Sequence, residues 1–207
     1  MTVLLGLVAG STVWAQKWEL GAMAGGGLYT HGSVTSPTGN GDVGFKPGPV
    51  LGAFISNNTS NRWGGELRYE YQPGSLKVSG SGSEATFNGE AHMIHYDFLF
   101  HFAPMESKVR PFVAVGGGVK LYRGTGEATV TQNLSNLALL TNTHEVAGMG
   151  SVGAGIKYAI SHKLGLRFEV RDFITPIPKQ VLAPAPDASI SGFLNDFAVM
   201  GGIAFTF

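Results

Sequence analysis

The 207 residues carry 14 Lys and Arg against 14 Asp and Glu, so there is no basic field to attract nucleic acid. Only 14% of residues are charged, well below the usual quarter, and the absence of cysteine excludes disulfide frameworks, thiolate zinc sites and thiol nucleophiles. The 31 glycines are interleaved with apolar and aromatic residues, unlike those of a disordered linker, and the length suits one domain with its own core.

The first segment, MTVLLGLVAGSTVWAQ, reads as a secretory signal. An apolar run from Val3 to Ala9 precedes small and polar residues, and Val13 and Ala15 stand at the third and first positions before a cut at Gln16. The expectation is a signal peptide over 1–15 and a single mature domain over 16–207. No Lys or Arg precedes the apolar run, which is consistent with a truncated or misassigned start. The run is too short to span a bilayer as a helix.

From Trp18 onward the hydrophobic period is two, the mark of strands. In 18–29, Trp18, Leu20, Ala22 and Ala24 oppose Glu19, Gly21 and Met23. A second strand is expected over 50–57, with its face unassigned. In RWGGELRYEYQ, Trp63, Gly65, Leu67, Tyr69 and Tyr71 oppose Gly64, Glu66, Arg68 and Glu70. In HMIHYDFLFHF, Ile94, Tyr96, Phe98, Phe100 and Phe102 oppose His95, Asp97, Leu99 and His101. Segments 111–122 and 146–158 follow, with Val113, Val115, Val119 and then Val152, Ala154, Ile156, Tyr158 on one face, and Lys120 and Lys157 on the other. In KLGLRFEVRDF, Leu164, Leu166, Phe168 and Val170 oppose Arg167, Glu169 and Arg171. The eighth strand, 196–207, alternates Phe197, Val199, Gly201, Ile203, Phe205 and Phe207 with Asp196, Ala198 and Met200.

The connections alternate in length. Long ones cover 31–49, 73–90, 123–145 and 174–195 and are rich in Gly, Ser, Thr, Asn and Pro. Short ones are NTSN (58–61), APMESKV (103–109) and SH (161–162). NLALL in the third long loop is compatible with a helical turn. The fold expected is all-β: an eight-stranded antiparallel up-and-down transmembrane β-barrel with four long outer loops and three short periplasmic turns.

The inverse of a soluble sandwich fits the two faces better. The large apolar and aromatic face suits lipid, and the Gly, Ala and small-residue face suits the crowded interior of an eight-stranded barrel. With both termini in the periplasm, Trp18, Trp63, Phe102 and Tyr158 fall at one membrane level, with Phe205 and Phe207 beside them. Tyr69 and Tyr71 fall at the opposite rim, an aromatic belt at each interface. The lumen then holds Glu19, Glu66, Glu70, Asp97, Glu145, Glu169 and Asp196 against Arg68, Lys120, Lys157, Arg167 and Arg171. Buried charges are costly unless paired, so Glu66, Arg68, Glu70, Asp97, Arg167, Glu169 and Arg171 are read as a salt-bridged plug rather than a gate or proton path.

Two apparent motifs carry little. His95, Asp97 and His101 share a face, but His101 lies roughly 13 Å along the strand from Asp97, too far for one metal. GMGSVG (148–153) matches the dinucleotide glycine pattern, but period two continues through AGIKYAI where a helix N-terminus is required. No catalytic residue, cofactor or metal is assigned.

On NRWGGELRYEY, GIKYAISHKLGLRFEVRDF and the final AFTF, together with the signal segment, the chain resembles the eight-stranded outer-membrane barrels of the OmpA/OmpX type. More narrowly, it resembles the stand-alone outer membrane protein beta-barrel domain group of Gram-negative bacteria. The resemblance implies a place in the outer membrane among lipid and lipopolysaccharide. It implies periplasmic chaperones and the barrel-assembly machinery as partners during biogenesis, and Ile203, Phe205 and Phe207 as the assembly signal that this machinery reads. It transfers fold better than function. The first reading is a non-enzymatic barrel whose long loops meet a surface partner. A lipid A-modifying enzyme of deacylase or acyltransferase type is the alternative: His92 has no Ser beside it, and His144 with Ser135 and Asp187 is the only distant set. A soluble lipocalin-like carrier is third, since it would put the aromatic face inside.

Overall fold

The computed structural model describes residues 18–127 and 132–207; the signal segment expected over 1–15 lies outside them. Among the described residues there are thirteen strands and no helix: β1 (Trp18–Tyr29), β2 (Gly32–Ser36), β3 (Gly39–Phe45), β4 (Gly48–Asn57), β5 (Trp63–Gly80), β6 (Ser83–His101), β7 (Val109–Gly124), β8 (Ala138–Leu140), β9 (His144–Ala159), β10 (Leu164–Pro176), β11 (Leu182–Pro184), β12 (Ser189–Ser191) and β13 (Phe193–Thr206). Eight of them, β1, β4, β5, β6, β7, β9, β10 and β13, pair in antiparallel sequence, and β13 returns to β1 to close a barrel.

The register fixes the shape. Following partners round the ring from Trp18 leads through Asn57, Gly65, Phe98, Val115, Val152, Asp172 and Phe197 to Leu28, ten residues further along β1. A stagger of this kind goes with strands tilted about 35–45° and an interior that side chains can fill. The links 58–62, 102–108 and 160–163 lie at the same end as Trp18 and Phe207, called here the turn end; the opposite end is the loop end.

Alternation places the faces. Along β13, Phe197, Val199, Ile203 and Phe205 are exposed while Asp196, Ala198, Met200 and Ala204 are buried. β4, whose face the sequence leaves open, turns Val50, Phe54 and Ser56 inward and Leu51 and Ile55 outward. The lumen is not lined by small residues and charges alone: Met23, Phe54, Met93, Phe112, Met149, Phe173 and Met200 also point in. Glycines make the room. A Cβ on Gly21 would strike the Phe54 ring, and one on Gly155 would lie 2.7 Å from Phe112 and 2.8 Å from Glu169.

The long connections differ most from expectation. Residues 73–90 are not a loop: β5 and β6 continue in register to Gly80 and Ser83. They join through Ser81 and Gly82, both at positive φ (50° and 78°), the backbone that lets a two-residue turn follow the twist of its strands. Pro73 is accommodated where pairing to β4 has ended at Tyr71 and pairing to β3 has yet to begin at Leu76. β2 and β3 form a hairpin beside β5, and β12 adds to β2. NLALL (136–140) is not a helical turn: Asn136 and Leu137 end a turn, and Ala138–Leu140 are β8, which pairs with β11. These additions meet over the mouth of the barrel in a second apolar core that includes Val34, Phe45, Leu76, Val78, Tyr122, Leu140, Val181 and Leu182.

Candidate functional site

Two strands on opposite sides of the barrel present complementary stripes. β5 turns Glu66, Arg68 and Glu70 inward; β10 turns Arg167, Glu169 and Arg171 inward. Acid–base–acid therefore faces base–acid–base across the lumen. Arg167 grips Glu66 with both terminal nitrogens, Nη2 lying 3.0 Å from Oε1. Arg68 Nη1 reaches Glu169 Oε1 at 2.6 Å and Glu70 Oε1 at 2.8 Å. Arg171 donates to Glu169 (3.0 Å), Glu66 (3.2 Å), Asp97 and Ser151 (3.2 Å). All seven charged groups are buried. The Arg167 guanidinium also lies between the rings of Phe54 and Phe112, 4.6 and 4.5 Å from their centroids, an arrangement that favours a desolvated cation.

Asp97 and Arg68, on adjacent strands, do not pair with each other as their positions suggest; each reaches other partners. His95 stands at this corner, with Nδ1 3.1 Å from Asp97 and Nε2 4.0 Å from Glu70. Neither nitrogen meets hydrogen-bonding geometry, and Arg68 Nη2, Glu70 Oε2 and Asp97 Oδ1 also lack partners. This corner is the least satisfied part of the network.

Further polar layers lie above and below. Toward the loop end, Lys120 donates to Asp196 (2.6 Å), Gln72 (3.0 Å) and Tyr29 (3.3 Å). Toward the turn end, Lys157 and Asn58 donate to Glu19 at 2.7 and 2.8 Å, and Arg110 donates to Asn58 at 2.7 Å. Glu145 does not belong to the lumen as expected: it lies among the loops and accepts from the Gln180 amide at 2.6 Å. Arg110, Gln72 and Tyr29 escaped the sequence reading because each lies at or beyond the end of a recognised alternating run. At the hairpin tip, Lys46 and Lys77 hydrogen-bond Glu84 at 2.7 and 3.2 Å, and those bonds hold its carboxyl below the usual range.

The outward residues form another set. Trp18, Trp63, Phe102 and Tyr158 are exposed at the turn end, as are Ile203, Phe205 and Phe207 of the closing segment. Tyr69 and Tyr71 stand further toward the loop end and find polar partners, Tyr69 with His92 at 2.8 Å and Tyr71 with Glu90 at 3.2 Å.

A family model described as "Outer membrane protein beta-barrel domain" matches residues 1–191. The chain belongs to that family. Solved structures agree in fold at low identity. The chain is similar to OprG from Pseudomonas aeruginosa (13% identity, TM-score 0.56, 93% of this chain and 97% of that one). It is similar to Neisserial surface protein A (12%, 0.54, 92% and 97%). It is also similar to the outer membrane protein AlkL (17%, 0.51, 99% and 97%). A comparison with curated protein sequences found no match.

For an outer membrane protein beta-barrel domain the exposed apolar face is the lipid face, the reverse of a soluble carrier, which buries such residues around its ligand. Closure serves the same setting, since in hydrocarbon every backbone polar group needs a partner within the protein. Among the described residues no three His, Cys, Asp or Glu side chains are grouped to hold a metal ion. Gly148 to Gly153 lie within β9, with no helix after them. His92 bonds Tyr69 rather than a serine. His144 opens β9, Ser135 lies in the turn before β8 and Asp187 before β12, and among the described residues no hydrogen bond joins them.

Proposed function

We propose that the protein is a non-enzymatic, plugged outer-membrane barrel that presents its loop end to the outside and its turn end, with both termini, to the periplasm. The observation that carries this reading is the double seal of the lumen: a cross-linked charge network at mid-height and an apolar core of folded loops above it. A transport pore needs a wet path, and both barriers oppose one. The lumen network of Glu66, Arg68, Glu70, Asp97, Arg167, Glu169 and Arg171 acts as a structural plug. Trp18, Trp63, Phe102 and Tyr158 at one level, and Tyr69 and Tyr71 at the other, act as interface belts against lipid and lipopolysaccharide. Ile203, Phe205 and Phe207 act as the segment read by the barrel-assembly machinery, with periplasmic chaperones guarding the chain beforehand. The folded loops supply the surface for an external partner.

The test joins topology to activity. A protease site placed at Ser81–Gly82 is expected to be cut on intact cells, and one placed in 102–108 only after the outer membrane is opened. Mass spectrometry of lipid A with and without the protein is expected to show no difference. A lost or added acyl chain that depends on the protein would replace this reading with the enzymatic one.

A further inference from the structure

At the turn end a cavity of about 410 Å³ opens into the barrel below the charge network. Three of the residues that line it are cations in a row: Arg110 on β7 is the direct cross-strand partner of Lys157 on β9, which is the direct partner of Arg167 on β10. Like charges placed opposite one another on neighbouring strands are destabilising, so the row calls for anionic compensation. Arg167 has Glu66 and Glu169, and Lys157 has Glu19. Arg110 has no carboxylate partner among the described residues. Arg110 is only 4% exposed, and its guanidinium is held by three neutral acceptors: the Ala103 carbonyl (3.3 Å), Asn58 Oδ1 (2.7 Å) and the Asn61 carbonyl (2.9 Å). A guanidinium has five N–H groups, so one remains on each terminal nitrogen. Lys157 likewise keeps two N–H groups beyond the one given to Glu19.

We propose that this cavity binds a compact organic anion, with a carboxylate or phosphate head set against Arg110 and Lys157 and a short apolar body along Ala159 and Ala204, which line the same inner face. The volume lies within the usual range for a small-molecule site, and a few convergent polar groups on a partly apolar wall are what such sites present. Charge-assisted bonds to the two free guanidinium N–H groups would fix the head. The acids facing the cavity are Glu19, already engaged by Lys157 and Asn58, and Glu106, exposed on the 102–108 turn. His162 also lines it, adding no negative charge.

The experiment uses the whole barrel refolded in a non-ionic detergent and titrated by NMR with hexanoate, inorganic phosphate and hexanol. Saturable binding of hexanoate is expected. Inorganic phosphate is expected to share the head site more weakly, and hexanol not to saturate. Arg110→Gln should weaken hexanoate by about tenfold or more, the scale of one lost charged contact of about 1.4 kcal/mol. Because Arg110 also ties together two turns, the variant is compared only if it still shifts on electrophoresis when boiled; Lys157→Gln is a second variant of the same row. Equal binding of hexanoate and hexanol, or unchanged hexanoate binding in a folded Arg110→Gln barrel, would overturn the site. Hexanoate binding that emerges only in Glu106→Gln would assign the Arg110 charge to Glu106 and overturn it as well.

Discussion

Phe207 and Trp18 hold each other by both backbone bonds: the Phe207 amide donates to the Trp18 carbonyl at 2.9 Å, and the Trp18 amide to the Phe207 carbonyl at 3.3 Å. The Phe207 side chain, meanwhile, is half exposed on the outer face, its ring 6.5 Å from that of Phe205. On the assembly-signal reading, backbone and side chain do different jobs. Phe207→Asp keeps the two backbone bonds and removes only the ring, so it is expected to lower the amount of assembled protein in cells while changing refolding yield in detergent little. Deleting Phe207 removes the bonds too and should lower both. Outer-membrane abundance set beside refolding yield checks this; equal loss on both measures in Phe207→Asp would reduce the ring to a stability role.

Glu66 sits at the centre of the network, touched by three guanidinium groups. Glu66→Ala leaves those cations partly uncompensated in a dry lumen, and breaking a buried pair in this way costs about 3–5 kcal/mol. Replacing Glu66 and Arg167 together by Met removes one charge of each sign and should cost less than the sum of the single changes. Urea titration of the barrel refolded into vesicles measures all three. Additive losses would mean that the pair is not coupled.

The lipid face has a depth. Val115 is 61% exposed in the middle of β7, while Val109, also exposed, begins that strand beside Tyr158. An Arg near the bilayer midplane costs about 2–4 kcal/mol, falling to about 0–1 near an interface. Val115→Arg is therefore expected to destabilise folding into lipid by more than Val109→Arg. Equal costs in the same vesicle titration would show that the membrane level assigned to β7 is wrong.

The alternation of RWGGELRYEY and KLGLRFEVRDF made both stripes of the network legible before any coordinates, because period two fixes which side chains share a face. Which acid takes which base was not legible. Arg68 chooses Glu169 across the lumen over Asp97 on the neighbouring strand, a choice that depends on barrel closure and on glycines that clear space for long side chains. The loop core escaped for another reason. Val34, Val78 and Leu182 lie in segments whose Gly, Ser and Pro content reads as loop, and their burial comes from contacts between hairpins far apart in the chain. SGSG at 79–82 looks like a flexible tip, yet only Ser81 and Gly82 make the turn.

On the plugged-barrel reading, the charge network and the loop core are two barriers in series, and each can be broken alone. Val78 is fully buried in the loop core, and Val78→Asp would place an unpaired carboxylate there, a cost of several kcal/mol that loosening of the loops can relieve. The barrel strands below keep their pairing and their charge network, so the variant is expected to retain the electrophoretic shift on boiling. Planar-bilayer recordings should show no steady pore for the native protein or for Val78→Asp, because the Glu66–Arg167 and Arg68–Glu169 links still cross the lumen. Opening is expected only when Val78→Asp is combined with Glu66→Ala, which removes the central acid and leaves room for water among the remaining cations. Reproducible porin-like conductance in the native protein would overturn the plug. Conductance in Val78→Asp alone would show that the loop core is the only barrier and that the network is permeable as built.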